Sequence, residues 1–410
     1  TGREHLGQGG APIPHSAHDA ARIGLPHPGD GTALGTYTES YAYDAVDNLL
    51  LMRHDRTGAA ATGWTRAFTR DEPSRLGDGQ VGNRLSTTTL AAAAPQPCHH
   101  DAHGNMTRLP HLGGVDPEEN AFWDHRDRLR RAELGGGGTA HYTYDGAGQR
   151  VRKVWEKAPG LVEERVYVGG FEVFRRRNGD GHVRFRRTTL HVTDGGSRLA
   201  LVETRTLDEA GTDQGPQRLT RLQLGNHLGS AVLELDDRAA VISYEEYSPY
   251  GSTTYQAVRS QTEAPRRYRY TGKERDEESG LCYHGARYYA PWLARWVSPD
   301  PAGLVDGPNL YAYVRDNPIR LRDPSGRQAM PAAVAEAWAA AEKSGYDSAG
   351  VERLILAYEG ARGTSGQQLV TSQSALEYAT VRASAAVANW DADNYGTAVA
   401  HGGLAVVESF

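Results

Sequence analysis

From Arg150 to Trp155 the chain runs Arg-Val-Arg-Lys-Val-Trp, a rough alternation of polar and apolar positions with the period of a half-buried strand. Similar runs crowd the stretch from Tyr142 to Tyr255, and Gly169-Gly170, Gly225-Asn226 and Asp236-Asp237 supply turns between them. Beyond Gly326 the period changes. Val334, Trp338 and Ala341 fall on one helical face, and Leu354, Ala357 and Tyr358 on another. This tail is rich in alanine and broken by Gly345, Gly360, Gly363 and Gly366. The pattern predicts a mainly β body followed by a small α-helical tail.

Within the β body one unit recurs. Tyr43-Asp44-Ala45-Val46-Asp47-Asn48, His100-Asp101-Ala102-His103-Gly104-Asn105 and Tyr144-Asp145-Gly146-Ala147-Gly148-Gln149 each precede a strand-like run. Gly104 and Gly148 can take positive φ, and the Asp side chain can accept from the backbone two residues on. The unit is therefore predicted to be a β-hairpin whose Asp forms the turn, repeated into an array in which each unit buries its face on the next. Asn226-His227-Leu228-Gly229-Ser230 is read as another turn, not as the seat of a catalytic histidine.

Composition narrows the class. At 410 residues the chain is too long for one ordinary domain unless it is a large β assembly or repeat array. Tyrosine, at 21, far outnumbers phenylalanine, at 6, and glycine reaches 48, which favours strands and tight turns. A net charge of -6 with mixed signs gives no reason to expect a nucleic-acid surface. Cys98 and Cys282 make neither a disulfide framework nor a metal cluster, and no cofactor or metal site is expected. No apolar run approaches the roughly 20 residues of a membrane span. The first residues carry neither an initiator Met nor a signal-peptide pattern and read as the inside of a longer polypeptide.

The most specific segment runs from Arg287 to Gly326. It holds Ala286-Arg287-Tyr288-Tyr289, Ser298-Pro299-Asp300-Pro301, Gly303, Gly307, Asn309-Leu310-Tyr311, Tyr313, Asn317-Pro318 and Asp323-Pro324-Ser325-Gly326. With Tyr268-Arg269-Tyr270-Thr271-Gly272-Lys273-Glu274 before it, this resembles the Rhs-repeat-associated core of the Rhs (YD-repeat) family, and is especially similar to the C component of insecticidal toxin complexes, the Tc toxins. The resemblance covers roughly residues 40–326.

The resemblance implies a YD-repeat β-hairpin spiral, a cocoon-like shell with a toxic tail inside. Four regions follow: 1–141, irregular YD repeats; 142–256, shell strands; 257–326, the core with an autoprotease; and 327–410, a variable helical effector tail. Relatives free their tails by aspartyl-type autoproteolysis. By position Asp300 and Asp323 match the two essential carboxylates and Arg287 a supporting arginine. Asp306 is a further acid nearby, for which a turn before Gly307 is an equal reading. The cut would fall after Gly326, between Arg327 and Gln328, where Arg327 replaces the family's Leu; an arginine in an apolar subsite is costly unless paired. From residues alone, an Asp-Pro step is ordinarily a turn initiator.

The family further implies partners: the N-terminal remainder of the shell or a B-type component, a delivery machine, and an immunity protein or host target of the tail. It implies a protein made in the bacterial cytoplasm and secreted or delivered, in virulence or competition between bacteria. The tail itself has nine acidic residues against five basic from Arg327 on, which argues against a nucleic-acid-binding effector. A purely structural or cell-surface YD-repeat protein that does not cut itself is the competing expectation.

Overall fold

The computed structural model describes residues 2–5, 34–57, 63–74, 79–157, 160–194, 197–211, 213, 215–258 and 266–331. The expected Ala-rich helical tail lies outside the described residues. Nearly all described residues belong to one compact unit, residues 1–192 with 198–329. The second unit, 193–197 with 330–410, contributes only a few, among them the extended pair Met330–Pro331.

The first unit is mainly β. Strands from Gly2–His5 to Gln96–Pro97 form a six-stranded antiparallel sheet, each paired with the next in sequence. Strands from Ala121–Trp123 to Thr253–Val258 form a twelve-stranded sheet in the same unbroken order. This is the hairpin wall that the repeats predict, since a short turn can only lead a strand back beside its predecessor.

The recurring unit explains each hairpin. At Asp44, Asp101, Asp124, Asp145, Asn226 and Asp236 the same turn forms. Residue i donates its N–H to the carbonyl of i+4, and the N–H of i+3 returns to the carbonyl of i. The side-chain oxygen of residue i also accepts from the i+4 N–H, as Asp145 does from Gln149 at 2.9 Å. Residue i+3 is left-handed: φ is 87° at Gly148 and 100° at Gly104, but also 62° at Asp47 and 58° at Asp127. A type I turn followed by a left-handed residue makes a bulge. The register accordingly slips beside these turns, at Ala42/Tyr43 and at Thr143/Tyr144. Aspartate tolerates this region better than most non-glycine residues, which is why Asp47 can stand in for glycine. Asn226 to Ser230 is the same turn, with His227 Nε2 donating to the Ile319 carbonyl at 2.8 Å.

Residues 266–329 fold as a turn-rich core segment around a small four-stranded sheet, Glu274–Arg275, Cys282–Tyr283, Tyr288–Ala290 and Arg295–Trp296. Its rings pack against one another. Tyr289 stacks on Tyr313 at 4.0 Å, and His284 meets Trp296 edge-on at 5.0 Å. The segment docks on the wall's turns one at a time. Asn309 donates to the Asp47 carbonyl, Tyr311 Oη to that of Gly104, and Arg322 to that of Leu228.

Candidate functional site

Arg287 lies immediately before the Tyr288–Ala290 strand and is almost wholly buried. Its guanidinium lies over the Trp296 ring at 4.1 Å, a face suited to a planar cation. Nε donates to the Gly326 carbonyl at 2.6 Å. Nη2 reaches Asp300 Oδ2 at 2.8 Å and Asp323 Oδ2 at 3.1 Å. Because both contacts share one nitrogen, the two carboxylate oxygens are no more than about 6 Å apart. The fold thus brings together all three residues that the sequence singles out, across a separation of 23 positions between the acids.

Each acid also serves its turn. Asp300 Oδ1 accepts the Ala302 N–H at 2.8 Å, closing the loop at Gly303, where φ is 75°. Asp323 Oδ1 accepts from Gly326 at 2.8 Å and from Arg327 at 3.1 Å. The Gln328 N–H reaches the same carboxylate. Turn former and paired acid are therefore one arrangement: one oxygen holds the backbone, and the other faces the arginine.

Burial pushes the Asp300 carboxyl up to about 6, against the pull of Arg287. Burial likewise raises Asp323, again opposed by Arg287. Burial thus raises the proton affinity of two acids that one cation bridges. His284 is fully buried and held neutral, chiefly by burial and then by Lys273; its Nδ1–H donates to the Asp323 carbonyl at 2.7 Å. Gly326 sits at φ 73° with Arg287 so close that an added Cβ would lie 2.8 Å from the Arg287 backbone nitrogen, so the position is restricted to glycine.

Asp306 lies in a 3₁₀ turn, Leu304–Asp306, that ends at Gly307 as its neighbour implies. It does not touch Arg287 directly. Its Oδ2 accepts the Ala329 N–H at 2.7 Å instead, and Arg315 donates to Oδ1. Arg327 departs from the expectation of an apolar subsite: its side chain is exposed, so water solvates the guanidinium and no burial cost arises, while Gln328 beside it is buried. Sequence reasoning missed His284, Arg315 and Trp296. The one available signal was the place of Arg315 and Trp296 inside the motif-rich segment and of His284 just before it. Among the described residues no cluster of side chains could hold a metal ion, and no helix is long and apolar enough to cross a membrane.

A wall of sequential hairpins bound to a turn-rich core defines the Rhs-repeat architecture. The chain belongs to the Rhs (YD-repeat) family and is similar to the C components of Tc toxins. It is 33% identical over 337 residues to the toxin subunit YenC2 of Yersinia entomophaga, covering 80% of this chain and 32% of that protein. It is 28% identical to the toxin protein Tse5 of Pseudomonas aeruginosa, covering 71% and 24%. A crystal structure of TcdB2-TccC3 matches with a TM-score of 0.63 and 31% identity over 79% of this chain and 15% of that one. No protein-family model matches. The chain spans about a third of the length of the curated Tc relatives it matches.

Proposed function

We propose that this chain is the C-terminal part of an Rhs/Tc-C-like polymorphic toxin, whose β wall encloses the C-terminal tail and whose core frees it by aspartyl-type autoproteolysis between Arg327 and Gln328. The observation that carries this reading is the single Arg287 nitrogen between Asp300 Oδ2 and Asp323 Oδ2, beside a chain segment whose Arg327 and Gln328 amides face Asp323. With one proton on the pair, the ionised carboxylate takes a proton from water and the protonated one hydrogen-bonds the Arg327 carbonyl. Water oxygen adds to that carbon, the bond to the Gln328 nitrogen breaks, and the nitrogen leaves as an amine with the transferred proton. Tethering supplies the proximity, since the bond is part of the enzyme itself.

A denaturing gel of the purified protein tests it. Two fragments, residues 1–327 and 328–410, are expected from wild type and none from Asp300→Asn or Asp323→Asn. A single full-length band from wild type overturns self-cleavage. It would favour the second reading, a structural YD-repeat protein, which the turn-capping Oδ1 of each acid supports.

The names of the relatives support a place in a toxin complex: a B-type component, as TcdB2 is to TccC3, would supply the remainder of the shell, with delivery from the producing bacterium. Co-expression with such a component should give a stoichiometric complex. The tail's target, and any immunity protein against it, follow from the tail's own chemistry.

A further inference from the structure

The chain around the Arg327–Gln328 bond is gripped on both sides. Upstream, Asp323 Oδ1 takes the N–H groups of Gly326 and Arg327. Downstream, Asp306 Oδ2 takes the N–H of Ala329 at 2.7 Å. The second grip is itself built. Arg315 donates from Nε and Nη2 to the same oxygen of Asp306, Oδ1, at 3.0 and 2.9 Å, leaving Oδ2 for the peptide. Arg315 is aimed by an unusual turn, in which Val314, Arg315 and Asp316 all hold left-handed φ, at 47°, 53° and 53°. Three consecutive non-glycine residues in that region are costly and persist only where surroundings hold them. The reward is not the ion pair, since Arg315 is 41% exposed and such pairs stabilise little.

We propose that the Arg315–Asp306 pair is a positioning clamp for self-cleavage, holding the chain two residues beyond the scissile bond so that this bond, and not its neighbours, is presented to Asp300 and Asp323. The clamp rests on the self-cleavage reading and deepens it. Neither residue touches the reacting atoms or exchanges a proton in the reaction. Their role is to fix position and therefore the site of the cut. A hydrogen bond to a main-chain amide suits this task because it is blind to the side chain at Ala329.

Two measurements on the full-length protein test the clamp. In uncut protein carrying Asp300→Asn, hydrogen exchange at the Ala329 amide is expected to be slow, and to become fast when Asp306→Ala is added. With Asp300 intact, Asp306→Ala should slow cutting by about tenfold or more, because misplacing a reacting bond by a fraction of an ångström is costly. Mass spectrometry should then find fragments starting at residues other than Gln328. Asp306→Asn, which keeps an oxygen for Ala329, should restore much of the rate. Ala329→Pro removes the donor while leaving both clamp residues, and should reproduce the Asp306→Ala effect without adding to it.

Equal exchange with and without Asp306 overturns the clamp. Lost protection with unchanged rate and a single new terminus at Gln328 overturns its positioning role. A wild-type chain that stays uncut while its Ala329 amide depends on Asp306 overturns the cleavage reading, and leaves the contact as an ordinary structural tie.

Discussion

At the scale of residues, the acids in this core divide their two oxygens between backbone and cation. That division fixes the carboxylates without consuming them, and burial then sets their protonation. If the core cuts itself as proposed, Asp300, raised to about 6 by burial, should lose its ability to act as a base as pH falls below that value. Cutting followed on gels from pH 8 to pH 4 is expected to slow by about tenfold per unit below pH 6; a rate flat to pH 4 would exclude Asp300 as the base. Asp316 makes a separate case. Burial first, then Asp47, raise its carboxyl to about 7; Arg70 pulls the other way, and Tyr250 Oη donates to Oδ1 at 3.3 Å. Its Oδ2 is buried without a hydrogen-bond partner. A carboxyl whose folded value is raised favours the fold fully at low pH and loses that contribution as pH rises through about 7. Asp316→Asn should therefore match wild type in thermal unfolding at pH 4 and exceed it by about 2 kcal/mol at pH 8.

At the scale of elements, the repeated turn accounts for what was legible. The recurring units predicted hairpins because Asp at i, and Gly at i+3 in two of the three, each have a local reason to be there. Trp123-Asp124 and Leu235-Asp236 make the same turn with Asp127 and Ala239 at i+3, and no glycine marks them. Two glycines separate geometry from packing. A Cβ on Gly148 meets nothing within 4 Å, so only its φ of 87° matters there. Gly148→Asn is expected to unfold in urea within about 0.5 kcal/mol of wild type, and Gly148→Val to cost about 1–2 kcal/mol. A Cβ on Gly104 instead lies 2.5 Å from Tyr311 Oη, and Gly104→Asn should cost more than Gly148→Asn by displacing that ring. The wall's interior chemistry was less legible. On the twelve-stranded sheet, Glu172, Glu203 and Glu234 are buried, and Arg221 bridges Glu203 at 3.0 Å and Glu234 at 3.1 Å. Alternating Glu and Arg look like a solvated face in sequence; only the core segment packed over them makes it an interior. The acid pair was found through a motif, because spacing alone cannot show that two turns 23 residues apart converge.

At the scale of the whole first unit, the core is tied to the wall by charge as much as by rings. Arg150, on the Arg150–Lys157 strand, reaches Asp276 at 2.6 Å and Glu274 at 2.7 Å; Lys153 reaches Asp276 at 2.8 Å and Glu278 at 3.1 Å. All are buried or nearly so. Such a network is weak evidence for stability as a whole, but removing Arg150 takes one cation from two buried carboxylates and leaves Lys153 to balance Asp276, Glu274 and Glu278. Glu274 belongs to the same four-stranded sheet whose Tyr288–Ala290 strand follows Arg287, so the network supports the frame on which the acids are held. Arg150→Ala should therefore lower the unfolding free energy by about 3–5 kcal/mol and also slow cutting, although Arg150 touches neither acid. Asp300→Asn should abolish cutting while leaving the melting temperature the same or higher at pH 7, since it removes a carboxyl that burial disfavours in its charged form. Melting curves and gels on both variants decide between a core that cuts only when the wall holds it and one that cuts alone. If Arg150→Ala melts early yet cuts at the wild-type rate, the wall has no part in cutting.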